Sequence, residues 1–328
     1  MRTVLTISML ALAFFALATL NAQTGGGKNI APVATASASA PVSRVVRSIT
    51  GPVKEKGLEV YTVDSDYQKS PAKLYALLPD NFDKNKRYKV LYILPCWGPS
   101  NEGIIEARKL GLANKHDVIC VNPDYVSMCW YADHPTTPKM LYDSYLPEMV
   151  VPFIDKTYPT VAKPEGRTLI GYSKGGLGAM TELLRHPEVF GRAGAWDSPV
   201  MQNNTHTEFY GPQEYFMANY YIPDLLTRNA GIFKGKPARF AIAGKGFGAE
   251  PGNIKQCSEL MTKLEIPHYC DDTIRPDHDW RTGWFGPLVG VLMAEDMTKV
   301  GPIGPMSPAT RPAKTTSSSS QPVGQEVR

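Results

Sequence analysis

Arg167–Gly191 reads RTLIGYSKGGLGAMTELLRHPEVFG, and it divides into three segments. RTLIGYS is a short, largely apolar run, the pattern of a strand buried on both faces. LGAMTELLRHPEVF repeats apolar residues at helical spacing and stops near a proline. Between them stands Gly171-Tyr172-Ser173-Lys174-Gly175, which fits G-x-S-x-G. That pattern marks a sharp strand-to-helix turn projecting a serine hydroxyl, with glycines where side chains would clash. Ser173 is therefore the candidate nucleophile. The helix behind it starts with unpaired backbone N–H groups and a positive dipole end, so the Lys174 N–H is placed to stabilise an oxyanion. A serine turn without chemistry is the competing reading, and the flanking strand and helix count against it.

Outward from this turn the chain alternates. AKLYALLP, YKVLYILP and DVICVNPD before it, and AGAWDSP, ARFAIAG and HYCDDTI after it, read as strands. YLPEMVVPFIDKTYP reads as a helix interrupted by prolines, IKQCSELMTKLEI as an amphipathic helix, and the segment after DHDWRTGW as a terminal helix. Alternation of this kind predicts one α/β domain with a mostly parallel central sheet, opened by an antiparallel hairpin of AKLYALLP and YKVLYILP. No internal repeat is visible.

A serine alcohol needs a base. Of six histidines, His186 reads as a helix C-terminal residue, His116 and His268 adjoin strands, and His206 lies in a polar segment. His134 follows CWYAD at a strand's carboxyl side, where it can line a pocket. His278, between the last strand and the terminal helix, stands where the order Ser, acid, His puts the base. Two carboxylates compete for the acid. Asp197 leaves the strand next to that of Ser173, stiffened by Pro199, and is preferred; Glu250, in the glycine-rich loop after ARFAIAG, is the alternative. Asp277 and Asp279 stand too near His278 in sequence. Asp197 can also be read as a plain turn carboxylate.

YKVLYILP, DSYLPEMVVPFIDKTYP, LIGYSKGGLGAMTELLRHPEVFG and DHDWRTGW, in that order, resemble the esterase D family of α/β-hydrolases, which includes feruloyl, acetylxylan and enterochelin esterases and S-formylglutathione hydrolase. The resemblance covers about Lys54 to Met297. It implies an α/β-hydrolase fold with helices on both faces, Ser173 and His278 as nucleophile and base, and an oxyanion hole from the Trp97 and Lys174 N–H groups. Two features depart from the family. Cys96-Trp97-Gly98 replaces the usual His-Gly, and the usual acid position offers only Glu250. Trp97, Trp130, Tyr131, Trp280 and Trp284 are candidates to line an apolar or sugar-stacking cleft, with packing in the core as the plainer reading.

With 328 residues, 43% hydrophobic, and a formal net charge of +4, the chain can bury a full core. Its basic residues are dispersed, which argues against a nucleic-acid partner. Met1–Ala22 has a charged start, an apolar stretch and a small residue at its end, the pattern of a cleaved export signal; a secreted or periplasmic location without a stable membrane anchor is expected. Residues 23–50 and 301–328, rich in Ala, Ser, Gly and Pro, are expected to be disordered, leaving 51–300 as the esterase domain. Export permits disulfides, and the nearest pairs are Cys120 with Cys129 and Cys257 with Cys270, leaving Cys96. Gly244-Lys245-Gly246-Phe247-Gly248-Ala249 fits G-x-G-x-x-A with Asp271 and Asp272 beyond it, a dinucleotide-binding pattern, but Pro251 and Gly252 disfavour the helix it needs. The expected protein is a serine esterase without cofactor or metal, acting on a small-molecule or polysaccharide ester. A catalytically silent hydrolase fold is the alternative.

Overall fold

A computed structural model of the chain describes residues 44–96, 100–126, 130–203, 206–245, 252–274 and 277–303. Among them nine strands form one sheet: β1 (Val46–Glu55), β2 (Leu58–Ser65), β3 (Ala72–Leu77), β4 (Lys89–Leu94), β5 (Val118–Pro123), β6 (Arg167–Tyr172), β7 (Arg192–Trp196), β8 (Phe240–Ala243) and β9 (His268–Asp271). Their spatial order is β1-β2-β3-β5-β4-β6-β7-β8-β9. β1, β2, β3 and β5 pair antiparallel, and from β5 to β9 every pairing is parallel. The helices are α1 (Glu102–Lys109), α2 (Leu112–His116), α3 (Tyr142–Tyr145), α4 (Val151–Thr157), α5 (Lys174–Arg185), α6 (Thr207–Tyr210), α7 (Gln213–Asn219), α8 (Ile222–Phe233), α9 (Asn253–Lys263) and α10 (Phe285–Met293). A π-turn at Leu146–Val150 joins α3 to α4. It falls where Pro147 and Pro152 remove helix donors, so the proline interruptions bend this helix without ending it.

The period of two along β4 shows how the core is split. Val90, Tyr92 and Leu94 pack on one face with Leu177, Met180 and Leu184 of α5. Leu91 and Ile93 pack on the other with Ile104 of α1 and Leu288 of α10. All five β4 side chains are fully buried, and burial contributes about 1.5–3 kcal/mol for a Leu or Ile. Helices on both faces of a mostly parallel sheet are the expected α/β class.

Three expectations need correction. β3 and β4 do not form a hairpin, because β5 lies between them; β4 is apolar on both faces and belongs in the sheet interior, so the antiparallel part is instead the meander β1–β2–β3. The domain begins before residue 51, because Val46–Thr50 is already in β1, and it extends past 300, where the Ile303 N–H donates to Asp271 Oδ2 at 2.8 Å. Cys257 and Cys270 are unpaired thiols, as are Cys96 and Cys120. Burial pushes the Cys257 and Cys120 thiols up to about 12. Cys129 lies outside the described residues. No helix among the described residues is long and apolar enough to cross a membrane.

Candidate active site

The parallel strands end along one edge of the sheet, and the loops leaving it hold the candidate residues. β6 runs into Ser173, whose backbone adopts φ 51° and ψ −126°. A non-glycine residue held there stores roughly 1–3 kcal/mol of strain. The turn is over-determined by its neighbours: the Ser173 N–H donates to the Trp196 carbonyl at 3.0 Å, and its own carbonyl accepts from the Leu177 N–H at 3.1 Å. Glycine is required on both sides. A Cβ on Gly171 would stand 2.3 Å from the Gly175 carbonyl carbon, and one on Gly175 would stand 2.2 Å from the Leu94 carbonyl oxygen. This close approach presses the start of α5 against the end of β4, with the Lys174 N–H in the first helical turn.

The other proposed oxyanion donor, Trp97, lies outside the described residues. The chain entering that segment is anchored, because the Tyr131 hydroxyl donates to the Pro95 carbonyl at 2.5 Å. Tyr131 is itself fully buried at φ 53°, and its ring fills the space a side chain on Gly178 would need.

Asp197 follows β7 directly, at φ 45° and 1% exposed. Its N–H donates to the Ala243 carbonyl at 3.0 Å, and its Oδ1 accepts from the Lys245 N–H at 3.1 Å. That second contact depends on Gly244, at φ 82°, where a Cβ would come within 2.2 Å of Asp197 Oδ1. Asp197 Oδ2 faces His278 Nδ1 at 4.0 Å. This is longer than a hydrogen bond, and such contacts tighten when substrate binds. Glu250 lies outside the described residues, so Asp197 is the candidate acid whose position beside His278 is described.

His278 is half-buried. Its ring meets Tyr172 edge to face at 5.2 Å, while Tyr172 stacks on Trp196 at 5.5 Å and meets Trp280 at 5.1 Å. These rings strip water from the imidazole. Desolvation first, then the Lys245 charge, lower its pKa below the ordinary value, and Asp279 works in the opposite direction. The shift favours the neutral imidazole, the form a general base needs.

The aromatic candidates separate into two groups. Trp280 is 4% exposed and Trp284 fully buried, so both pack in the core, as Tyr131 does, and do not line a cleft; an indole ring beneath the sheet edge adds more stability buried than exposed. Trp130 is half-buried, 5.9 Å from the Lys174 ammonium and stacked on His206 at 4.4 Å. Among the described tryptophans it is the one whose ring faces the Lys174 ammonium, one residue after Ser173. His206 was read only as part of a polar segment; its neighbours Phe209 and Tyr210 were the available signal. His134 caps its own turn, Nδ1 accepting from the Thr137 N–H at 2.9 Å. Asp271 accepts from the Thr273 and Ile303 N–H groups, and among the described residues its strand β9 is the sheet edge.

Residues 65–214 match the family model described as "Putative esterase", a span that includes Ser173 and Asp197 and ends before His278. No curated protein matches the chain. Among solved structures it is similar to an S-formylglutathione hydrolase from Agrobacterium tumefaciens, with 19% identity over 75% of this chain and 98% of that one and a TM-score of 0.62. It is also similar to the fluorophosphonate-binding serine hydrolase F of Staphylococcus aureus, at 17% identity, 74% and 98% coverage and 0.58. A ferulic acid esterase follows at 19%, 72% and 96% coverage and 0.56. At these identities the structures establish the fold, and the family model matches 150 of the 328 residues. The chain has the α/β-hydrolase fold, and its residues 65–214 resemble the esterase family.

Proposed function

We propose that the protein is an exported serine esterase that works through an acyl-enzyme. Ser173 Oγ attacks the ester carbonyl as His278 takes its proton, and the carbonyl oxygen is held by the Lys174 and Trp97 N–H groups. His278 then protonates the leaving alcohol, and a water activated by the same imidazole releases the acid. Asp197 holds the tautomer and stabilises the imidazolium. The observation that carries this reading is the strained Ser173 turn at the head of α5, with a buried Asp197 facing His278 across the adjacent strand ends.

The substrate class proposed is an acyl ester on plant polysaccharide. The likeness to a ferulic acid esterase supports it, as does Trp130, an aromatic surface beside the nucleophile turn that suits an aromatic acyl group or a sugar ring. Export, to the periplasm or the medium, is supported by the Met1–Ala22 pattern. Hydrolysis rates on feruloylated oligosaccharides, acetylated xylan and short aryl esters test the reading. Serine-dependent turnover of the first two above the aryl esters supports it; no turnover of any ester identifies a silent binder instead.

A further inference from the structure

Near the far end of α5, about two and a half turns from Ser173, Glu182 is fully buried. Among the described residues neither of its carboxylate oxygens meets a hydrogen-bond donor. Ionised, it is a desolvated charge; protonated, it is a hydroxyl without an acceptor. Both states are costly. Burial, reinforced by Asp143, pushes this carboxyl well above the ordinary range. Its surroundings suggest what would relieve it. His186 caps the C-terminal end of α5, its N–H donating to the Glu182 carbonyl at 2.8 Å, and Asp143 comes from α3 with its side chain 2% exposed. One donor atom from each of Asp143, Glu182 and His186 lies within 4.8 Å of the others.

We propose that Asp143, Glu182 and His186 form a binding site for a divalent transition-metal ion, Zn²⁺ fitting best. One imidazole nitrogen and two carboxylate oxygens suit Zn²⁺ or Mn²⁺ rather than Ca²⁺ or Mg²⁺, which take oxygen ligands. His186 Nε2 and Asp143 Oδ1, hydrogen-bonded at 3.0 Å, would exchange that proton for the metal. The proton moves to Nδ1, which faces Glu188 at 3.8 Å, the outer partner that fixes a ligating histidine's tautomer. Glu182 releases its proton to solvent and binds as carboxylate. Arg185 does not have to move, because it donates to the other oxygen, Asp143 Oδ2, at 2.8 Å and to the Asn219 carbonyl, and stacks over Tyr220. The charges also close. Arg185 pairs with Asp143, and Arg44 is shared between Asp133 and Glu148; with Glu182 also ionised, these four carboxylates exceed the two guanidinium groups by two negative charges, which a divalent ion offsets.

The metal would tie the end of α5 to α3, roughly 13 Å along the helix from Ser173, so the site is structural. The test is calorimetric titration of the chelator-treated full chain with Zn²⁺, Mn²⁺ and Ca²⁺, with bound metal counted by elemental analysis. The expected result is one equivalent of Zn²⁺, a rise in melting temperature with Zn²⁺, and at least a tenfold loss of affinity in Glu182→Gln with ester turnover kept. Preference for Ca²⁺, no saturable binding, or unchanged binding in Glu182→Gln overturns the proposal. If that variant fails to fold, His186→Asn is read in its place, and the wild-type titration stands by itself.

Discussion

At the N-terminal end of α5, His278 Nδ1 lies 4.0 Å from Asp197 Oδ2; near its C-terminal end, His186 Nε2 lies 3.0 Å from Asp143 Oδ1. Both aspartate side chains are 2% exposed. A buried carboxylate beside an imidazole is therefore no mark of catalysis by itself. The difference lies in the other groups each carboxylate holds. Asp143 is paired with the Arg185 guanidinium and with His186. Burial opposes its charge, yet His186 and Arg185 together hold its carboxyl below the ordinary range. Asp197 Oδ1 accepts from the Lys245 backbone N–H, a dipole without a net charge, and its Oδ2 faces His278. Only this end of the helix carries a serine in a strained turn.

The comparison is broken most severely at Ser173. Ser173→Ala is expected to lower ester turnover by at least ~10³-fold with the circular dichroism spectrum unchanged, since a nucleophile is lost and little packing. Asp197→Asn is expected to cost ~10³–10⁴-fold in kcat through the wrong imidazole tautomer, and Glu250→Gln to cost little; a large loss confined to Glu250→Gln would move the acid to that loop. Arg185→Leu gives the opposite result at the other end. It leaves Asp143 an uncompensated buried charge, so denaturant titration should show roughly 3 kcal/mol of lost stability, with kcat per folded molecule retained.

Two smaller effects sharpen the contrast. Tyr131→Phe removes the hydroxyl that holds Pro95, a bond worth about 1 kcal/mol, and is expected to lower kcat several-fold with KM nearly unchanged. The pH profile tests the imidazole environment. Acylation needs neutral His278, so its rate should rise with pH and reach a plateau. Because desolvation and Lys245 depress this pKa, the rising limb should lie below 6.5, and Lys245→Gln should move it to higher pH.

The elbow was legible because its chemistry is local: strand, glycines, serine and helix are contiguous in Arg167–Gly191. The position of Asp197 was legible for a related reason, since a carboxylate leaving the strand next to that of Ser173 is positioned by sheet topology. What depends on distant residues was not. β1 has almost no buried face and so shows no hydrophobic alternation, and the pairing of β4 with β5 and β6 cannot be read from either strand alone. Aromatic residue type does not tell which side of the sheet edge a ring occupies, so Tyr131 and Trp280 were placed in the cleft while the core holds them. The Asp143–Glu182–His186 group joins two helices far apart in sequence, and nothing in either helix alone predicts it.

The central claim is that Ser173 is the activated nucleophile, and mapping the site of phosphonylation tests it most directly. Full-length protein treated with a serine-directed fluorophosphonate, digested and sequenced by mass spectrometry should carry one label, on the peptide containing Ser173, with labelling markedly slower in Asp197→Asn than in Glu250→Gln. No label on the folded protein, or a label on any other residue, would contradict the assignment.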